Sequence, residues 1–204
     1  MEKEYFVGDI YHKTIDQLKP RERLPLDQYV AALDGLTLAY HDIYVETQGG
    51  IFLVERKERP AKGILWPLGG RKTKGLSMRD SVRAKVNAES NLILGTDDEI
   101  IYLGNEPPMV YSSESEHAGG LDCLANVYAA KARGQQLELN HEHTNPTLVY
   151  RREQDIPQNL PDRIKVAFYT YGFRTDLHPY VRDYLHLAMV QLLPERRDLI
   201  GSTT

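Results

Sequence analysis

The chain has 204 residues, of which 26% are charged and 41% hydrophobic, with a formal net charge of -4 at pH 7. This length predicts one globular domain with a full-sized core, and the negative balance disfavours general binding to nucleic acid. Cys123 is the single cysteine, which excludes an intrachain disulfide and favours a reducing compartment.

No signal-peptide pattern and no apolar run of bilayer length stand out in the sequence. We therefore expect a cytoplasmic protein with no membrane partner. The whole chain, 1–204, is interpreted as a single domain made of four parts. These are an N-terminal arm, a core, an additional segment and a C-terminal helix, at 1–23, 24–149, 150–177 and 178–195.

The first elements in the chain are a helix and a pair of strands. Residues 26–33 predict a short helix, and residues 37–46 predict the first core strand, in which Asp42 stands among alternating apolar residues. Gln48, Gly49 and Gly50 are typical of a hairpin turn, so a second strand is expected at 51–54.

A basic and glycine-rich stretch follows the second strand. Positive charge is concentrated before a bend at Gly69 and Gly70, at the residues Arg56, Lys57, Arg59 and Lys62. The planar guanidinium fork matches phosphate oxygens, so Arg56, Arg59 and Arg71 predict a cradle for a diphosphate. The alternative interpretation is a solvated basic loop.

The next helix is expected to run from an N-cap at Ser77 to a C-cap at Asn91. One of its stripes recurs every four residues and predicts a face packed on the core, namely Met78, Val82 and Val86. The neighbouring stripe should lie level with the glycine bend, and consists of Ser81, Lys85 and Glu89.

The second half of the chain predicts further strands at 99–103, 110–111 and 121–131. The loop at 112–120 contains His117, which either contacts substrate or is solvated. Asn145 and Pro146 are interpreted as a turn. Residues 164–173 fit a strand or a helix equally, and residues 179–193 predict an amphipathic helix with proline in its first turn.

The stretch from the second strand to the helix resembles the Nudix family in an altered form. The family's motif begins with a glycine, places a glutamate six residues later, and supplies Arg-Glu and Glu-Glu pairs on one helix. The positions that match are Gly70, Val86, Glu89 and Leu92. The positions that depart are Leu76, Ala84, Lys85, Ala88 and Asn91. The resemblance implies an α+β fold, an α/β/α sandwich with a mixed β-sheet between helices.

FLVERKERPAKGILWPLGGR is similar to the GDP-mannose mannosyl hydrolase branch, which has an Arg-x-x-Arg-Pro loop before a Pro-x-Gly-Gly-Arg bend. That branch implies hydrolysis of a nucleoside diphosphate linked to a sugar, with attack on the anomeric carbon. It also implies a homodimer to which the N-terminal arm contributes. The alternative for the arm is packing on its own domain.

The resemblance also implies roles for individual residues. His143 would act as general base, with Arg71 and Asp42 as further catalytic residues and His141 as a competing base. The residues that would bind substrate are Arg56, Arg59, Arg71 and Lys85. Mg²⁺ prefers oxygen ligands, which would come from the Gly70 carbonyl, Glu89 and Glu142.

Lys85 leaves the site open to other interpretations, because it stands where the full motif has a metal-binding glutamate. Its ammonium would pair with Glu89 one turn away, stand electrostatically in the place of the metal, or contact the diphosphate. The second hypothesis for the protein is therefore a non-catalytic nucleotide-binding module. Cleavage of the pyrophosphate bond itself is the third.

Overall fold

The structure, a computed structural model, describes residues 25–57, 61–105, 109–111, 121–133, 137–140, 143–169 and 177–193. Its helices are α1 (Leu26–Gly35), α2 (Met78–Ser90) and α3 (Pro179–Leu192). Its strands are β1 (Leu38–Thr47), β2 (Gly50–Arg56), β3 (Leu65–Trp66), β4 (Leu68–Arg71), β5 (Ile100–Asn105), β6 (Met109–Tyr111), β7 (Leu121–Lys131), β8 (His143–Tyr150) and β9 (Lys165–Phe168). Among the described helices, none is long and apolar enough to span a bilayer.

The described strands form one mixed sheet of nine strands in the order β5-β7-β1-β2-β8-β9, with β3, β4 and β6 paired to β2, β1 and β7. The pairs β1–β7 and β8–β9 are parallel, and the remaining pairs are antiparallel. The mixed sheet predicted from the sequence is therefore confirmed.

Strands β1 and β2 pair only beside their hairpin and then separate. Val45–Thr47 pair with Gly50–Phe52, whereas the earlier part of β1, from Tyr40 to Ile43, pairs with β4. On the other side of the gap, β2 pairs with β3. The β3–β4 segment thus fills a wedge between the two strands, and this wedge contains the candidate site.

Gly69 and Gly70 lie in strand β4 and not in the bend that we expected. Gly69 is opposite Asp42 in the register of β1 and β4. A Cβ on Gly69 would lie 2.2 Å from the carbonyl oxygen of His41 and 2.7 Å from Oδ1 of Asp42. The bend prediction was wrong because the glycine serves close packing between strands rather than a change of direction.

Helices cover both faces of the sheet, as an α/β/α sandwich requires. Ile43 and Val45 of β1 are buried with Val82 and Val86 of α2 on one face. Tyr44, between them in β1, is buried on the opposite face with the apolar side of α3. The α3 side chains that are buried there are Val181, Tyr184, Leu185, Ala188, Met189 and Leu192.

Both predicted caps of α2 are confirmed. The hydroxyl of Ser77 accepts a hydrogen bond from the backbone N–H of Asp80, and Asn91 adopts a left-handed conformation with φ of 57°. These contacts fix where the helix begins and ends. They set its position relative to the wedge, so that the stripe with Ser81 and Glu89 faces β4.

Two other sequence expectations are settled in the second half of the chain. Asn145 and Pro146 lie inside β8, so the turn prediction was wrong. Asn145 has φ of 46°, and the pairing of β8 with β2 shifts register between Leu53 and Glu55. The pattern typical of a turn instead makes a bulge in a continuous strand. The ambiguous segment 164–173 contains strand β9, which extends the sheet beside β8.

Candidate functional site

Glu89 is the centre of the candidate site. Its side chain is 2% exposed and faces the wedge from the last turns of α2. Oε2 accepts a hydrogen bond from the backbone N–H of Gly69 at 3.1 Å. Burial acts to raise the pKa of the Glu89 carboxyl, but the adjacent His143 imidazole and the charge of Lys85 outweigh it and lower the pKa. The carboxylate is therefore ionised at neutral pH.

Lys85 supplies the cation that balances this buried charge. Its Nζ lies 2.7 Å from Oε1 of Glu89, one helical turn away, and its side chain is 27% exposed. Gly70, with φ of 149°, lies directly under this side chain. The absence of a Cβ at Gly70 is what lets the lysine lie against the backbone of β4.

His143 lies beside Glu89, and Arg56 is the residue paired with His143 where β2 and β8 meet. His143 begins β8 opposite Arg56, the last residue of β2. Nε2 of His143 lies 3.4 Å from Oε2 of Glu89, and its side chain is 5% exposed. Within the described ranges, neither ring nitrogen of His143 nor Nε of Arg56 has a hydrogen-bond partner. These buried nitrogen atoms are available to a ligand or water.

Asp42 lies on the opposite face of the sheet, beneath α3. Oδ1 accepts a hydrogen bond from Nε1 of Trp66 at 3.3 Å, and Oδ2 accepts one from the hydroxyl of Tyr180 at 2.5 Å. Burial raises the pKa of Asp42 to about 6, although the bonds from Tyr180 and Trp66 and the charge of Arg56 act to lower it. Both carboxyl oxygens are thus bonded to protein groups, and Asp42 links β1 to β3 and α3.

His41 precedes Asp42 and faces α2. Its Nε2 is 2.8 Å from the hydroxyl oxygen of Ser81, and this oxygen accepts a hydrogen bond from the N–H of Thr73 at 2.8 Å. Burial lowers the pKa of His41 to about 4, and the charges of Lys72 and Lys85 lower it further. His41 is therefore neutral at physiological pH and positions α2 against β1.

The structure thus brings together several of the residues that the sequence singled out. Those that meet at the wedge on the α2 face are Gly70, Lys85, Glu89 and His143, and Arg56 is paired with His143 at the end of β2. Asp42 is on the other face, and Arg71 is exposed at the end of β4, opposite Tyr40. The predicted residues that lie outside the described ranges are Arg59, His117, His141 and Glu142.

The described residues do not fit a Mg²⁺ site. Within the described ranges, no three side chains of His, Cys, Asp or Glu converge in a way that would hold a metal ion. The carboxylate of Glu89 is already engaged by Lys85 and by the N–H of Gly69. A metal held by Glu89 would need Lys85 to move and further ligands from elsewhere, such as Glu142.

Sequence reasoning missed the partners of Asp42 and the role of His41. The hydrogen bond from Tyr180 to Asp42 joins residues 138 positions apart, and no local pattern indicates such a contact. The alternation of β1 indicates only that His41 and Asp42 face opposite sides of the sheet. Which of the two faces α2 depends on packing that the sequence does not indicate.

Comparisons with known proteins come from sequence and from structure. No protein family model matches the chain. The chain is 26% identical over 168 residues to the low-salt glycan biosynthesis protein Agl8 of Haloferax volcanii, a similarity that covers 82% of this chain and 92% of Agl8.

Two solved structures are similar over much of the chain. The crystal structure of a MutT NUDIX hydrolase from Burkholderia pseudomallei matches with a TM-score of 0.51 and 18% identity, covering 74% of this chain and 97% of that one. The MutT protein of Methanosarcina mazei Go1 matches with a TM-score of 0.48 and 14% identity, covering 76% and 94%. The first of these similarities shows that the chain has the fold of the Nudix hydrolases.

Proposed function

We propose that this protein hydrolyses a nucleoside diphosphate linked to a sugar and releases the intact nucleoside diphosphate. One observation carries the proposal: a buried imidazole, His143, lies 3.4 Å from a buried carboxylate, Glu89, in the wedge of a Nudix fold. Among the described residues its ring nitrogens have no hydrogen-bond partner, and an imidazole of this kind beside an ionised carboxylate is suited to accept a proton from water.

Two arginines support the proposal that the substrate is an anion. Nε of Arg56 is buried, and within the described ranges it has no hydrogen-bond partner, while Arg71 is exposed two residues beyond Gly69. Arginine forks match the oxygens of a diphosphate and stay charged. The diphosphate would therefore lie across β4 and the end of β2, next to His143.

The sugar class is supported by the similarity to Agl8, whose name places that protein in glycan biosynthesis. Glycan synthesis consumes activated sugars, and a nucleoside diphosphate is a common activating group. The altered motif fits the same proposal, because attack on an anomeric carbon needs less stabilisation of charge at phosphorus than attack on a phosphate.

The proposed reaction uses His143 as the base. His143 takes a proton from a water molecule while the water oxygen forms a bond to the anomeric carbon. The bond between that carbon and the diphosphate oxygen breaks, and its electron pair leaves with the nucleoside diphosphate. Glu89 stabilises the imidazolium that forms, as a carboxylate does beside any charged imidazole, and Arg56 and Arg71 stabilise the departing anion.

Hydrolysis in ¹⁸O-labelled water tests this reaction. Nucleoside diphosphate sugars with each common base are incubated with the protein, and the products are examined by mass spectrometry. We expect the label in the free sugar and an unlabelled nucleoside diphosphate. Label in a phosphate would contradict the proposal and favour cleavage of the pyrophosphate bond.

Replacement of His143 by Asn gives the matching kinetic test. We expect kcat to fall by roughly 10²-fold to 10⁴-fold, the usual contribution of a general base, while KM changes little. His186 on α3 is a suitable control for loss of an imidazole, and His186→Asn should retain activity. Full activity of His143→Asn would exclude His143 as the base.

The second candidate function is a binding module without catalysis, and the Lys85–Glu89 ion pair favours it. In that case nucleotides would bind, EDTA would not affect binding, and no member of the substrate panel would turn over. Turnover that is abolished by Glu89→Gln would rule this candidate out.

Mg²⁺ assistance and a homodimer, both expected from the sequence, stay predictions, and no step of the reaction above needs the metal. Because the described residues do not fit a metal, Mg²⁺ dependence would require Lys85 to leave Glu89. Activity in EDTA checks the first prediction, and sedimentation velocity checks the second.

A further inference from the structure

Lys85 contacts both of the described residues that the sequence predicted as metal ligands. Its Nζ is 2.7 Å from Oε1 of Glu89. A methyl group added to Gly70 would lie 2.8 Å from Nζ and 2.7 Å from Cε. The lysine side chain therefore crosses the backbone of β4 and places its charge where the sequence predicted a metal ion.

Neither oxygen of Glu89 is open to a divalent cation in this arrangement. Oε1 forms an ion pair with the ammonium, while Oε2 accepts a hydrogen bond from the N–H of Gly69 at 3.1 Å and lies 3.4 Å from Nε2 of His143. Mg²⁺ would need to approach one of these oxygens to about 2.0–2.1 Å. An ammonium and a dication on the same oxygen would repel each other strongly in this buried setting.

Lys85 is also accessible to a ligand, because its side chain is more exposed than that of Glu89. The side chain of Glu89 is 2% exposed and that of Lys85 is 27% exposed. A buried carboxylate needs a paired cation, and Lys85 supplies one. An ammonium has three N–H donors, so donors remain for an incoming anion after Lys85 has bonded to Glu89.

We propose that Lys85 takes the place of the divalent cation in this site, so that a nucleoside diphosphate binds through the Lys85 ammonium without a metal ion. The ligand class rests on the proposed function. The statement about the cation does not, because it concerns the protein without any nucleotide.

Titration with Mn²⁺ in the absence of nucleotide tests directly whether the site binds a divalent cation. Electron paramagnetic resonance measures free Mn²⁺ in the presence of the wild-type protein and of Lys85→Glu, which provides a second carboxylate one turn from Glu89. We expect the wild type to leave the signal unchanged and Lys85→Glu to bind one Mn²⁺ per chain. Binding of Mn²⁺ by the wild type, or by neither folded protein, would overturn the inference.

Calorimetric titration in EDTA tests whether the site binds an anion without a metal ion, with inorganic pyrophosphate and nucleoside diphosphates as probes. We expect the wild type to bind and Lys85→Met to bind about 10-fold to 100-fold more weakly, the effect of losing one charged hydrogen-bond donor. Lys131→Met is the matched control, because Lys131 pairs with Glu46 in the register at the far end of β1. Its affinity should match the wild type.

The two titrations separate this inference from the proposed function. Nucleotide binding that appears only when Mg²⁺ is added would overturn the role of Lys85 and leave the proposed hydrolase standing. If no nucleotide binds under any condition, the proposed function fails, and the Mn²⁺ titration of the two proteins still decides which cation the site holds. Equal affinities of Lys85→Met and the wild type would also overturn the inference.

Discussion

At the scale of single residues, Gly69 shows how closely the wedge is packed. A Cβ at this position would meet the backbone carbonyl of His41 at 2.2 Å, and backbone atoms cannot rotate away as a side chain can. We expect Gly69→Ala to lower the free energy of unfolding by roughly 2 kcal/mol or more, since overpacking typically costs about 1–3 kcal/mol. Urea unfolding measures the change.

Gly35→Ala is the control for this substitution. Gly35 is the last residue of α1, and a Cβ there would meet nothing within 4 Å. The control should change stability by less than about 1 kcal/mol, in the direction of stabilisation. If Gly69→Ala were as stable as Gly35→Ala, the close approach of β4 to β1 would be refuted.

Asp42 gives a prediction about pH. Its pKa is raised from 3.8 to about 6, so its stabilising contribution is complete below pH 3.8 and is lost as the pH rises through 6. The shift corresponds to about 3 kcal/mol. Unfolding of the wild type and of Asp42→Asn is measured from pH 4 to pH 7, and we expect the wild type to lose stability relative to the variant over this range.

The comparison with the variant is needed because His41 acts in the opposite sense. The pKa of His41 is lowered from 6.5 to about 4, so its contribution is complete above pH 6.5 and is lost as the pH falls. The two neighbouring residues therefore partly cancel in the wild-type profile between pH 4 and pH 6. A constant difference between the wild type and Asp42→Asn would contradict the buried position of Asp42.

At the scale of elements, α3 is attached to the sheet by a polar contact as well as by its apolar face. The hydroxyl of Tyr180, in the first turn of α3, donates to Asp42 at 2.5 Å, and its ring stacks on Trp66 at 5.3 Å. Removal of the hydroxyl leaves a buried carboxyl oxygen without this donor.

We therefore expect Tyr180→Phe to lower the free energy of unfolding by about 1–3 kcal/mol. Hydrogen exchange should increase first in the opening turn of α3, since the aromatic stacking remains. Tyr102→Phe is the control, because Tyr102 is 51% exposed on β5. Equal exchange in the two variants would show that the contact does not hold α3.

Elements whose limits depend on neighbouring residues were predictable from the sequence. The caps of α2 and its stripes follow from residues three or four positions apart, and the apolar face of α3 follows from the same spacing. The turn prediction at Asn145 and Pro146 was wrong because the same residues suit a turn and a bulge. Only the pairing of β8 with β2 distinguishes the two structures. Long-range contacts such as Tyr180–Asp42 were not predictable at all.

The candidate site also has one part that local sequence patterns predict and one part that they do not. Helix periodicity predicts that Lys85 and Glu89 lie on one stripe of α2, beside Gly70. The contact between His143 and Glu89 depends on how β8 joins the sheet, which the sequence does not indicate. Whether Asp42 takes part in chemistry stays a prediction, and the structure adds that both its oxygens are bonded to protein groups.

At the scale of the whole molecule, one sheet serves two cores. Residues of β1 alternate between the cluster under α2 and the cluster under α3, as Ile43 and Tyr44 show. Neither helix buries its apolar face without the shared strands. The two faces should therefore unfold together, because loss of either cluster exposes one side of the same sheet.

Trp66 makes this cooperativity measurable. It is the only tryptophan, is 3% exposed, and lies in the cluster under α3, so its fluorescence reports that face. Val86 is fully buried in the cluster under α2, on the other side of the sheet. We expect Val86→Ala to remove about 2 kcal/mol of stability by the loss of two buried carbon atoms and the space that they leave.

The test compares two signals in denaturant for the wild type and Val86→Ala. In both proteins, Trp66 fluorescence and far-ultraviolet circular dichroism should give coincident transitions, and the substitution should move both midpoints equally. A fluorescence transition that stays in place while the circular dichroism transition moves would show that the two faces unfold separately. Coincident shifts would mean that Val86→Ala, on the α2 face, also destabilises the Asp42–Tyr180 contact on the other face of the sheet, which Val86 does not touch.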